Sequence, residues 1–330
     1  MRYAYLGRTG IQVSEICLGT MTFGNEASKD TSFQLMDQAY AAGVNFFDTA
    51  DIYNDGDSER IVGDWMSSRR DEMVVASKVH FPAGAKGLND KGNSRRHILQ
   101  GVDQSLSRMN TDYMDILYLH HWDENTDIRY TLQALTDLVQ QGKVHDIGLS
   151  NFSAWQCSLM AETARSEGFA PISVIQPMYS LIKRVVEIEL LPMAAYHQMG
   201  VCIYSPMGAG MLTGKYHQNE SGRIDKNTMY KERYKNPEYM ETAGKFVELA
   251  KSKGLDPAAL SVEWARSHPD VTCAIIGAWK EEHLTRALIS QEIELDPTER
   301  QAITDLSMPV PNATDREDMS HLKITSKADE

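Results

Sequence analysis

Residues 45–53 read Asn-Phe-Phe-Asp-Thr-Ala-Asp-Ile-Tyr, an apolar pair that runs into the carboxylate of Asp48 and then the phenol of Tyr53. The apolar pair predicts a buried strand that ends at Asp48, with Tyr53 on the loop or first helical turn beyond it. An acid and a phenol near a strand end are usually structural. Their meaning therefore depends on what the later strands of the chain end in.

Short apolar runs of the same kind recur along the chain and alternate with helical patterns. Their apolarity is continuous rather than alternating, which indicates strands covered on both faces, as in a parallel sheet. Eight strand–helix units over residues 1–330 predict an α/β fold, a single (β/α)8 TIM barrel. The predicted strands are Ser14–Thr20, Val44–Asp48, Met73–Lys78, Met114–His120, Val144–Ser150, Ile172–Gln176, Val201–Ser205 and Thr272–Ile276.

Other segments frame this alternation. Residues 3–13, with Gly7 and Gly10 at the turn, predict an N-terminal hairpin. Helices are predicted over residues 30–42, 57–66, 94–109, 127–141, 153–167 and 187–199. Two further helices are predicted to begin at Asp256-Pro257 and Asp296-Pro297. Asp30 and Ser153 are among the predicted N-terminal caps. Met207–Tyr239 shows no clear period and predicts a long functional or mobile loop after strand 7. Residues 308–330 form a polar tail.

The bulk composition narrows the function classes. The net charge of −13 argues against a nucleic-acid partner and against an anionic membrane surface. No apolar run approaches the ~18 residues of a membrane span, and no leader opens the chain. The cysteines are isolated, which indicates free thiols in a reducing compartment: Cys17, Cys157, Cys202 and Cys273. We expect a soluble cytoplasmic protein whose partner is a small molecule.

The chemistry of a barrel lies where its strands end, at the C-terminal face. Six consecutive predicted strands end in hydrogen-bonding groups, although any one of these alone is ordinary, and His121 beside His120 adds ambiguity. These groups are Asp48, Lys78, His120, Ser150 with Asn151, Gln176, and Tyr204 with Ser205, and Tyr53 adds a phenol just past the second strand. As a set they favour a functional site.

The residue types also make chemical sense together. A phenol has a pKa near ~10, and we expect the cation of Lys78 beside Tyr53 to lower it. Asp48 can hold Lys78 by a charge-assisted bond, and His120 can donate to a substrate oxygen. A phenol, a lysine, a carboxylate and an imidazole suit protonation of a carbonyl oxygen as hydride arrives at carbon.

These residues carry a resemblance to a known family. From about Leu6 to Leu284, the chain resembles the aldo-keto reductase superfamily, and within it the bacterial oxidoreductase branch related to potassium-channel β subunits. The resemblance implies reduction of an aldehyde or ketone with NADPH, rather than NADH, bound across the barrel mouth. The motifs that carry it are Gly19-Thr-Met21, Phe47–Tyr53, Ala76-Ser-Lys78, Asp115–His120, Gly148-Leu-Ser-Asn151, Gln176-Pro and Tyr204-Ser-Pro-Met207.

The resemblance also implies roles for single residues. Tyr53 would be the proton donor, tuned by Lys78 and Asp48, and His120 would position the carbonyl, because the family histidine lies five residues after the strand aspartate, here Asp115. Ser150, Asn151 and Gln176 would hold the nicotinamide amide, and Tyr204 would stack on its ring. Gly19, Thr20 and Met21 would also meet the cofactor, and Ser205, Pro206, Met207, Gly210, Leu212 and Lys215 would line its pyrophosphate.

The segment Ile276–Leu284 departs from the family pattern where members hold the adenosine 2′-phosphate. Lys280 can serve as a phosphate cation, and Arg223 on the long loop is a weaker candidate. His283 stands where a Gln or Arg is usual, and Ala287 where an Asn commonly meets adenine. Ile276 and Gly277 begin this site, and Trp279 either stacks on adenine or packs. No G-x-G-x-x-G follows a predicted strand, so a Rossmann site is not the alternative.

Three rival functions remain open from the residues. A regulatory subunit would keep the barrel and the cofactor but turn over little. A metal-dependent barrel hydrolase would use His120, His121 and Asp123, a thin ligand set. A glycosidase would need paired carboxylates at strand ends, which the chain lacks. The substrate pocket could be lined by Trp122, Phe23, Tyr179 and Met21, although Tyr179 could equally belong to the core. Aromatic walls of this kind do not select one carbonyl compound.

Overall fold

A computed structural model describes residues 1–84, 87–218 and 220–314, which form ten strands and twelve α-helices. The strands are β1 Tyr3–Tyr5, β2 Gln12–Ser14, β3 Ile16–Gly19, β4 Phe46–Asp48, β5 Val74–Val79, β6 Met114–Leu119, β7 Val144–Ser150, β8 Ile172–Gln176, β9 Gly200–Tyr204 and β10 Cys273–Gly277. The helices are α1 Lys29–Ala41, α2 Asp57–Met66, α3 Arg95–Met109, α4 Ile128–Gln140, α5 Ala154–Glu167, α6 Leu190–His197, α7 Arg223–Lys226, α8 Thr228–Arg233, α9 Pro237–Ser252, α10 Pro257–Arg266, α11 Glu281–Leu288 and α12 Pro297–Thr304.

Eight parallel strands close into a barrel in the order β10-β3-β4-β5-β6-β7-β8-β9. This confirms the predicted (β/α)8 fold. The hairpin of β1 and β2 is antiparallel, as predicted, with Tyr3 opposite Ser14. Its turn lies against the start of β9, where a Cβ on Gly7 would come within 2.5 Å of the Gly200 nitrogen. The hairpin therefore covers the N-terminal end of the barrel and leaves the C-terminal end open.

The barrel interior is a packed core. Leu6 of the hairpin, Phe46 and Tyr118 are fully buried there. Tyr118 fills the space beside Gly148, because a Cβ on that glycine would lie 2.3 Å from the Tyr118 ring. With the interior filled in this way, a ligand can reach the strands only at their C-terminal ends.

The four cysteines are buried free thiols, as the sequence predicts. A second core lies between the barrel strands and the surrounding helices, and it contains Phe23 and Tyr179. In the described part of the chain, no helix is both long enough and apolar enough to cross a membrane.

The helix caps follow the sequence with one exception. Asp256 and Asp296 accept hydrogen bonds from the first-turn amides of α10 and α12, and α5 begins after Ser153. The prediction for Asp30 was wrong, because Ser28 caps α1 and accepts from the Thr31 amide. Asp30 lies in the first turn, where its charge still favours the helix N-terminus.

The segment after β9 is more ordered than its sequence predicts. Residues 208–213 and 215–218 form 3₁₀ turns, α7 and α8 follow, and α9 already begins at Pro237. Asn227 and Asn236 cap α8 and α9 by accepting amide hydrogen bonds. Helices of four to six residues are too short for an apolar period to show. Of the predicted tail, residues 315–330 lie outside the described residues.

Candidate active site

A cavity of about 990 Å³ opens at the C-terminal ends of the barrel strands. Nearly all of the predicted site residues line it. They are Gly19, Thr20, Met21, Asp48, Tyr53, His120, Ser150, Asn151, Gln176, Tyr204, Ser205, Pro206, Met207, Gly210, Lys215, Arg223, Ile276, Gly277, Trp279, Lys280 and His283. Lys78 lies behind the wall, next to Asp48, and Leu212 is fully buried without reaching the cavity.

Neighbouring strands bring the acid and the lysine together. Asp48 ends β4 opposite Ala76 of β5, and Lys78 follows two residues later on β5. The Lys78 ammonium donates to Asp48 Oδ2 at 2.5 Å, to the Thr49 carbonyl at 2.7 Å and to Tyr53 Oη at 3.3 Å. All three donors of the ammonium are therefore engaged, and the side chain is fully buried.

The turn that carries Tyr53 is fixed to the loop after β3. Asn54 donates from Nδ2 to the carbonyls of Met21 and Phe23, at 3.1 and 2.6 Å. Asn54 and Asp55 adopt φ angles of 50° and 53°, in the left-handed region that non-glycine residues rarely occupy. This strained turn directs the Tyr53 ring back over the barrel mouth, towards Lys78.

The phenol of Tyr53 stays a weak acid. Burial raises the pKa of Tyr53, Lys78 lowers it and Asp48 raises it, and the net shift is upward. Lys78 lowers the pKa of Tyr53, as expected. The loss of hydration raises this pKa by more, so the net shift is opposite to the one expected. Tyr53 therefore carries its proton at neutral pH and can give it away.

The lysine and the histidine have fixed charge states. Burial lowers the pKa of Lys78, but Asp48 and Tyr53 more than reverse this, so the net shift is upward and the ammonium stays charged. Burial, Lys78 and His80 hold the pKa of His120 well below its usual range. His120 is therefore neutral, and its ring lies 6.1 Å from the Tyr53 ring. Among described residues, its shielded Nδ1 has no hydrogen-bond partner.

Hydrogen bonds connect the residues that end or follow β9, β7 and β6, and a separate bond joins β8 to β4. Tyr204 donates to Asn151 Oδ1 at 2.7 Å, and Asn151 Nδ2 donates to the His120 carbonyl at 2.9 Å. Gln176 donates to Asp48 Oδ1 at 2.7 Å, a bond that the sequence did not predict. Asn151 and Ser205 have positive φ angles of 61° and 58°. Backbone in this region is costly and is typical of functional sites.

The opposite end of the cavity gathers cations around Trp279. Lys215 Nζ lies 5.8 Å from the centre of its ring, and Arg223 Cζ lies 5.6 Å from it. Burial and then Arg223 lower the pKa of Lys215. No carboxylate of the described residues lies within ion-pair distance of Lys215, Arg223 or Lys280. By contrast, Arg286 is held by Asp256 at 2.7 and 3.1 Å.

This end fits the phosphates of a dinucleotide. Cations without carboxylate partners in a chain of net charge −13 indicate an anionic ligand. The backbone also approaches closely here, because a Cβ on Gly222 would lie 2.2 Å from Tyr216 Oη and 2.6 Å from Lys215 Nζ. Gly210, with a φ of 90°, makes the sharp turn that brings the chain under Lys215.

Some predicted pocket residues lie elsewhere, and others were missed. Phe23 is fully buried in the core, and Trp122 packs on Phe152 and Trp155, so those two predictions were wrong. Tyr179 is also fully buried, which agrees with its alternative placement in the core. Only Met21 of that group lines the cavity. The lining residues that the sequence did not single out include Phe81, Met229, Tyr230, Arg233 and Arg286. Tyr230 and Arg233 fall in the segment without a period, which hid them.

The geometry gives no ligand set for a metal hydrolase. Asp123 accepts hydrogen bonds from the Asn93 and Asn125 amides and from Thr126. His121 Nδ1 lies 2.9 Å from the Trp122 carbonyl. In residues 1–84, 87–218 and 220–314, no group of three or more His, Cys, Asp or Glu could hold a metal ion.

Comparison with known proteins agrees with this geometry. Residues 15–307 match the model of the aldo/keto reductase family. The chain is 35% identical over 317 residues to the uncharacterized oxidoreductase YrpG of Bacillus subtilis, which covers 93% of this chain and 96% of that one. It is 33% identical over 306 residues to a probable voltage-gated potassium channel subunit beta of Oryza sativa, and the match covers 89% of this chain and 92% of that one. It is 33% identical over 324 residues to norsolorinic acid reductase B of Aspergillus parasiticus, and the match covers 92% of this chain and 83% of that one.

Proposed function

Since the chain belongs to the aldo/keto reductase family, we propose that it reduces an aldehyde or a ketone to an alcohol with NADPH and Tyr53. NADPH would supply the hydride to the carbonyl carbon. Tyr53 Oη would supply the proton to the carbonyl oxygen, which takes the electron pair of the C=O π bond. The substrate would be a small carbonyl compound, and residues 1–330 would act as one barrel domain.

The observation that carries this proposal is the contact chain from Asp48 through Lys78 to Tyr53. The ammonium lies 3.3 Å from Tyr53 Oη and 2.5 Å from Asp48 Oδ2. Once Tyr53 has given up its proton, its phenolate would lie beside a fixed positive charge. Such preorganised charge lowers the free energy of proton transfer, because the charged group does not have to reorient.

His120 would position the carbonyl group. A neutral imidazole can donate one hydrogen bond to the substrate oxygen, whereas an imidazolium would compete with Tyr53 as the acid. The lowered pKa of His120 therefore supports a positioning and polarising role. Tyr53 and His120 both line the cavity, so an oxygen placed there would meet both groups.

The cofactor would span the cavity from one end to the other. Ser150, Asn151 and Gln176 would hold the nicotinamide amide, and Tyr204 would stack on the ring. Lys215, Arg223 and Lys280 would neutralise the phosphates of the cofactor. Three unpaired cations near Trp279 support a preference for NADPH, whose 2′-phosphate adds negative charge, over NADH.

Replacement of Tyr53 by Phe tests the proton donor. We expect Tyr53→Phe to lower kcat for aldehyde reduction ~10²- to 10⁴-fold, the range for loss of a general acid. Quenching of nicotinamide fluorescence should still report NADPH binding. Tyr130→Phe removes the same hydroxyl from an exposed position on α4 and serves as the matched control. Full turnover by Tyr53→Phe would remove Tyr53 from the role of acid.

A second function is a regulatory subunit that binds the cofactor and turns over slowly. The similarity to a probable voltage-gated potassium channel subunit beta over 89% of this chain favours it. Turnover separates the two functions. A kcat of ~1 s⁻¹ or more with any of a panel of aldehydes, ketones and keto-sugars supports the enzyme, and rates far below that support the subunit.

We also propose a cytoplasmic location. The buried free thiols support it, because a reducing compartment keeps cysteines in this form. Localisation of the tagged full-length chain after cell fractionation tests this directly, and recovery in a secreted or membrane fraction would contradict it.

A further inference from the structure

We call the end of the cavity that holds Asp48, Tyr53 and His120 the catalytic end, and the end around Trp279 the phosphate end. Arg233 lies at the catalytic end, and we propose that it recognises an anionic group, a carboxylate or a phosphate, on the carbonyl substrate. The inference rests on the proposed carbonyl reduction and deepens it by naming a substrate class. Arg233 is the last residue of α8 and lines the cavity together with Met229 and Tyr230 of the same helix.

The position of Arg233 follows from the tyrosines around it. Its Cζ lies 5.3 Å from the centre of the Tyr230 ring. Tyr230 is close enough to Tyr53 to influence the ionisation of its phenol. Burial raises the pKa of Tyr204 to about 12, and the Arg233 charge is the largest effect opposing that rise. Arg233 therefore lines the cavity beside Tyr230 and close enough to Tyr204 to affect its ionisation, and Tyr230 connects it to the Tyr53 side of the cavity, where the carbonyl group would react.

Arg233 is separate from the cations that serve the cofactor phosphates. Arg223 lies 5.8 Å from the Tyr230 ring and 5.6 Å from the Trp279 ring. Arg233 contacts the Tyr230 ring but not the Trp279 ring. Tyr230 thus lies between an arginine at the phosphate end and an arginine at the catalytic end. With Lys215, Arg223 and Lys280 at the phosphate end, Arg233 is left for another anion.

The guanidinium of Arg233 has no carboxylate partner among the described residues. Its one polar side-chain contact there is to Met229 Sδ at 3.6 Å. An arginine usually pairs with a planar anion, and a thioether does not satisfy its five donors. Arg233 is half-buried, so partial loss of hydration strengthens its attraction for an incoming anion.

The positions of the carboxylates that line the cavity also favour an anion at the catalytic end. Glu220 and Glu282 line it near Arg286, at the phosphate end. At the catalytic end Asp48 is neutralised by Lys78 and accepts from Gln176. An anionic substrate at that end would therefore meet one cation and no uncompensated acid.

The walls around this cation are apolar or aromatic. Met21 and Phe81 lie on loops after β3 and β5, and Met229 and Tyr230 extend from α8. Each of these four side chains offers a contact surface for a hydrocarbon or aromatic body, so the substrate that fits is an aldehyde or ketone with an apolar body and an acidic substituent.

Two aldehydes of similar shape test this inference. We would measure kcat and KM with NADPH for 4-carboxybenzaldehyde and 4-methylbenzaldehyde, which differ mainly in the negative charge. We expect a kcat/KM ratio that favours the carboxylate in the native chain. Arg233→Met should lower that ratio about tenfold or more, mostly through KM, since a charge-assisted bond to a carboxylate is lost. Arg233→Lys should retain part of the preference.

Lys231→Met is the matched control, because it removes one charge from an exposed position on the same helix that does not line the cavity. An equal ratio in the native chain and Arg233→Met overturns the inference. A weaker NADPH affinity in Arg233→Met with an unchanged ratio also overturns it, and assigns Arg233 to the cofactor phosphates. If the native chain turns over the methyl compound and shows no preference for the carboxylate, the inference is overturned but the proposed carbonyl reduction is not. If the protein turns over neither aldehyde and no other carbonyl compound, that result overturns the proposed function itself.

Discussion

The two ends of the cavity are built in opposite ways. At the catalytic end, Asp48 and Lys78 lie on strands, and the ammonium has a protein partner for each of its donors. At the phosphate end, Lys215 and Arg223 lie on turns and a short helix, and their charged groups lie near the rings of Trp279 and Tyr230. Burial lowers the pKa of Lys215, and Glu220 and Asp225 are close enough to oppose this, but among the described residues neither forms an ion pair with it. One end is complete without a ligand, and the other has charges that a ligand would complete.

This difference separates two tasks. A proton donor must be held in one geometry, which adjacent strands of a closed barrel provide at little cost in entropy. A phosphate site must admit and release a large cofactor, and side chains on short helices can rearrange for that. We therefore expect changes at the catalytic end to act on rate, and changes at the phosphate end to act on affinity.

The largest effect is expected from removing the ammonium of Lys78. Without it, the Tyr53 phenolate loses its neighbouring charge, and we expect kcat to fall ~10³-fold, within the range for acid–base catalysis. NADPH affinity should change by less than about threefold, because Lys78 does not line the cavity. Single-turnover reduction and fluorescence titration measure the two quantities.

Lys78→Met alone leaves the charge of Asp48 buried without its partner, which costs ~3–5 kcal/mol of folding free energy. The double variant Asp48→Asn with Lys78→Met removes both charges and keeps the shapes similar. It should recover thermal stability without recovering turnover. A double variant that turns over at the native rate would show that the pair is structural only.

A smaller effect is expected at the phosphate end. Arg223→Met with Lys280→Met removes two cations, and we expect NADPH affinity to fall ~10- to 100-fold, because solvent screening at these half-buried and exposed positions limits their joint contribution to ~1.4–2.8 kcal/mol. NADH affinity should fall less, so the preference for NADPH narrows. Single-turnover rate at saturating NADPH should stay within about threefold of the native value.

Isothermal titration with both nucleotides measures this difference, and Lys231→Met again controls for the loss of a charge in the same segment. Equal losses of affinity for NADH and NADPH would mean that Arg223 and Lys280 bind the pyrophosphate rather than the 2′-phosphate. A large loss of rate at saturating cofactor would contradict the separation of tasks between the two ends.

The smallest effect is expected from pH. In the proposed reaction Tyr53 must be protonated, and its pKa is raised, so activity would be lost only as pH rises above the usual ~10. His120 must be neutral, and its pKa is lowered, so activity is lost only as pH falls well below the usual ~6.5. We expect the single-turnover rate to vary less than about threefold between pH ~6.5 and ~9.

Stopped-flow absorbance of NADPH at a saturating concentration measures this profile. A limb between pH ~7 and ~9 would contradict the assignment of Tyr53 and His120 as the groups whose protonation limits the rate, and it would point instead to Asp51, whose pKa is raised to about 8, mainly by burial.

The barrel could be predicted from sequence because its strands are short, mainly apolar runs such as Met114–Leu119, and six consecutive strands are ended or directly followed by a polar residue. The catalytic end could be predicted for the same reason, since Asp48, Lys78 and His120 inherit their positions from the strands. The hydrogen bond from Gln176 to Asp48 could not be predicted, because it joins β8 to β4 across the barrel mouth.

The part of the cavity wall that the segment after β9 contributes was harder to predict. Tyr230 and Arg233 belong to a six-residue helix that packs through aromatic and cationic contacts rather than an apolar stripe. The net pKa shift of Tyr53 could not be read from residue types either, since it depends on how much water the fold removes from the phenol. Sequence indicates which charges are near each other, but not how well they are hydrated.

The saturated ammonium of Lys78 has a consequence for chemical durability. Aldehydes condense with free lysine amines, and a reductase for such compounds meets a reactive reagent at every turnover. Lys78 has a raised pKa and three bonded hydrogens, so it has no lone pair to offer, and it lies behind the cavity wall. The cysteines Cys17, Cys202 and Cys273 lie in the barrel interior, and burial raises the pKa of the Cys17 and Cys273 thiols well above its usual value. The fold therefore keeps Lys78 and these three thiols away from the electrophile that it processes.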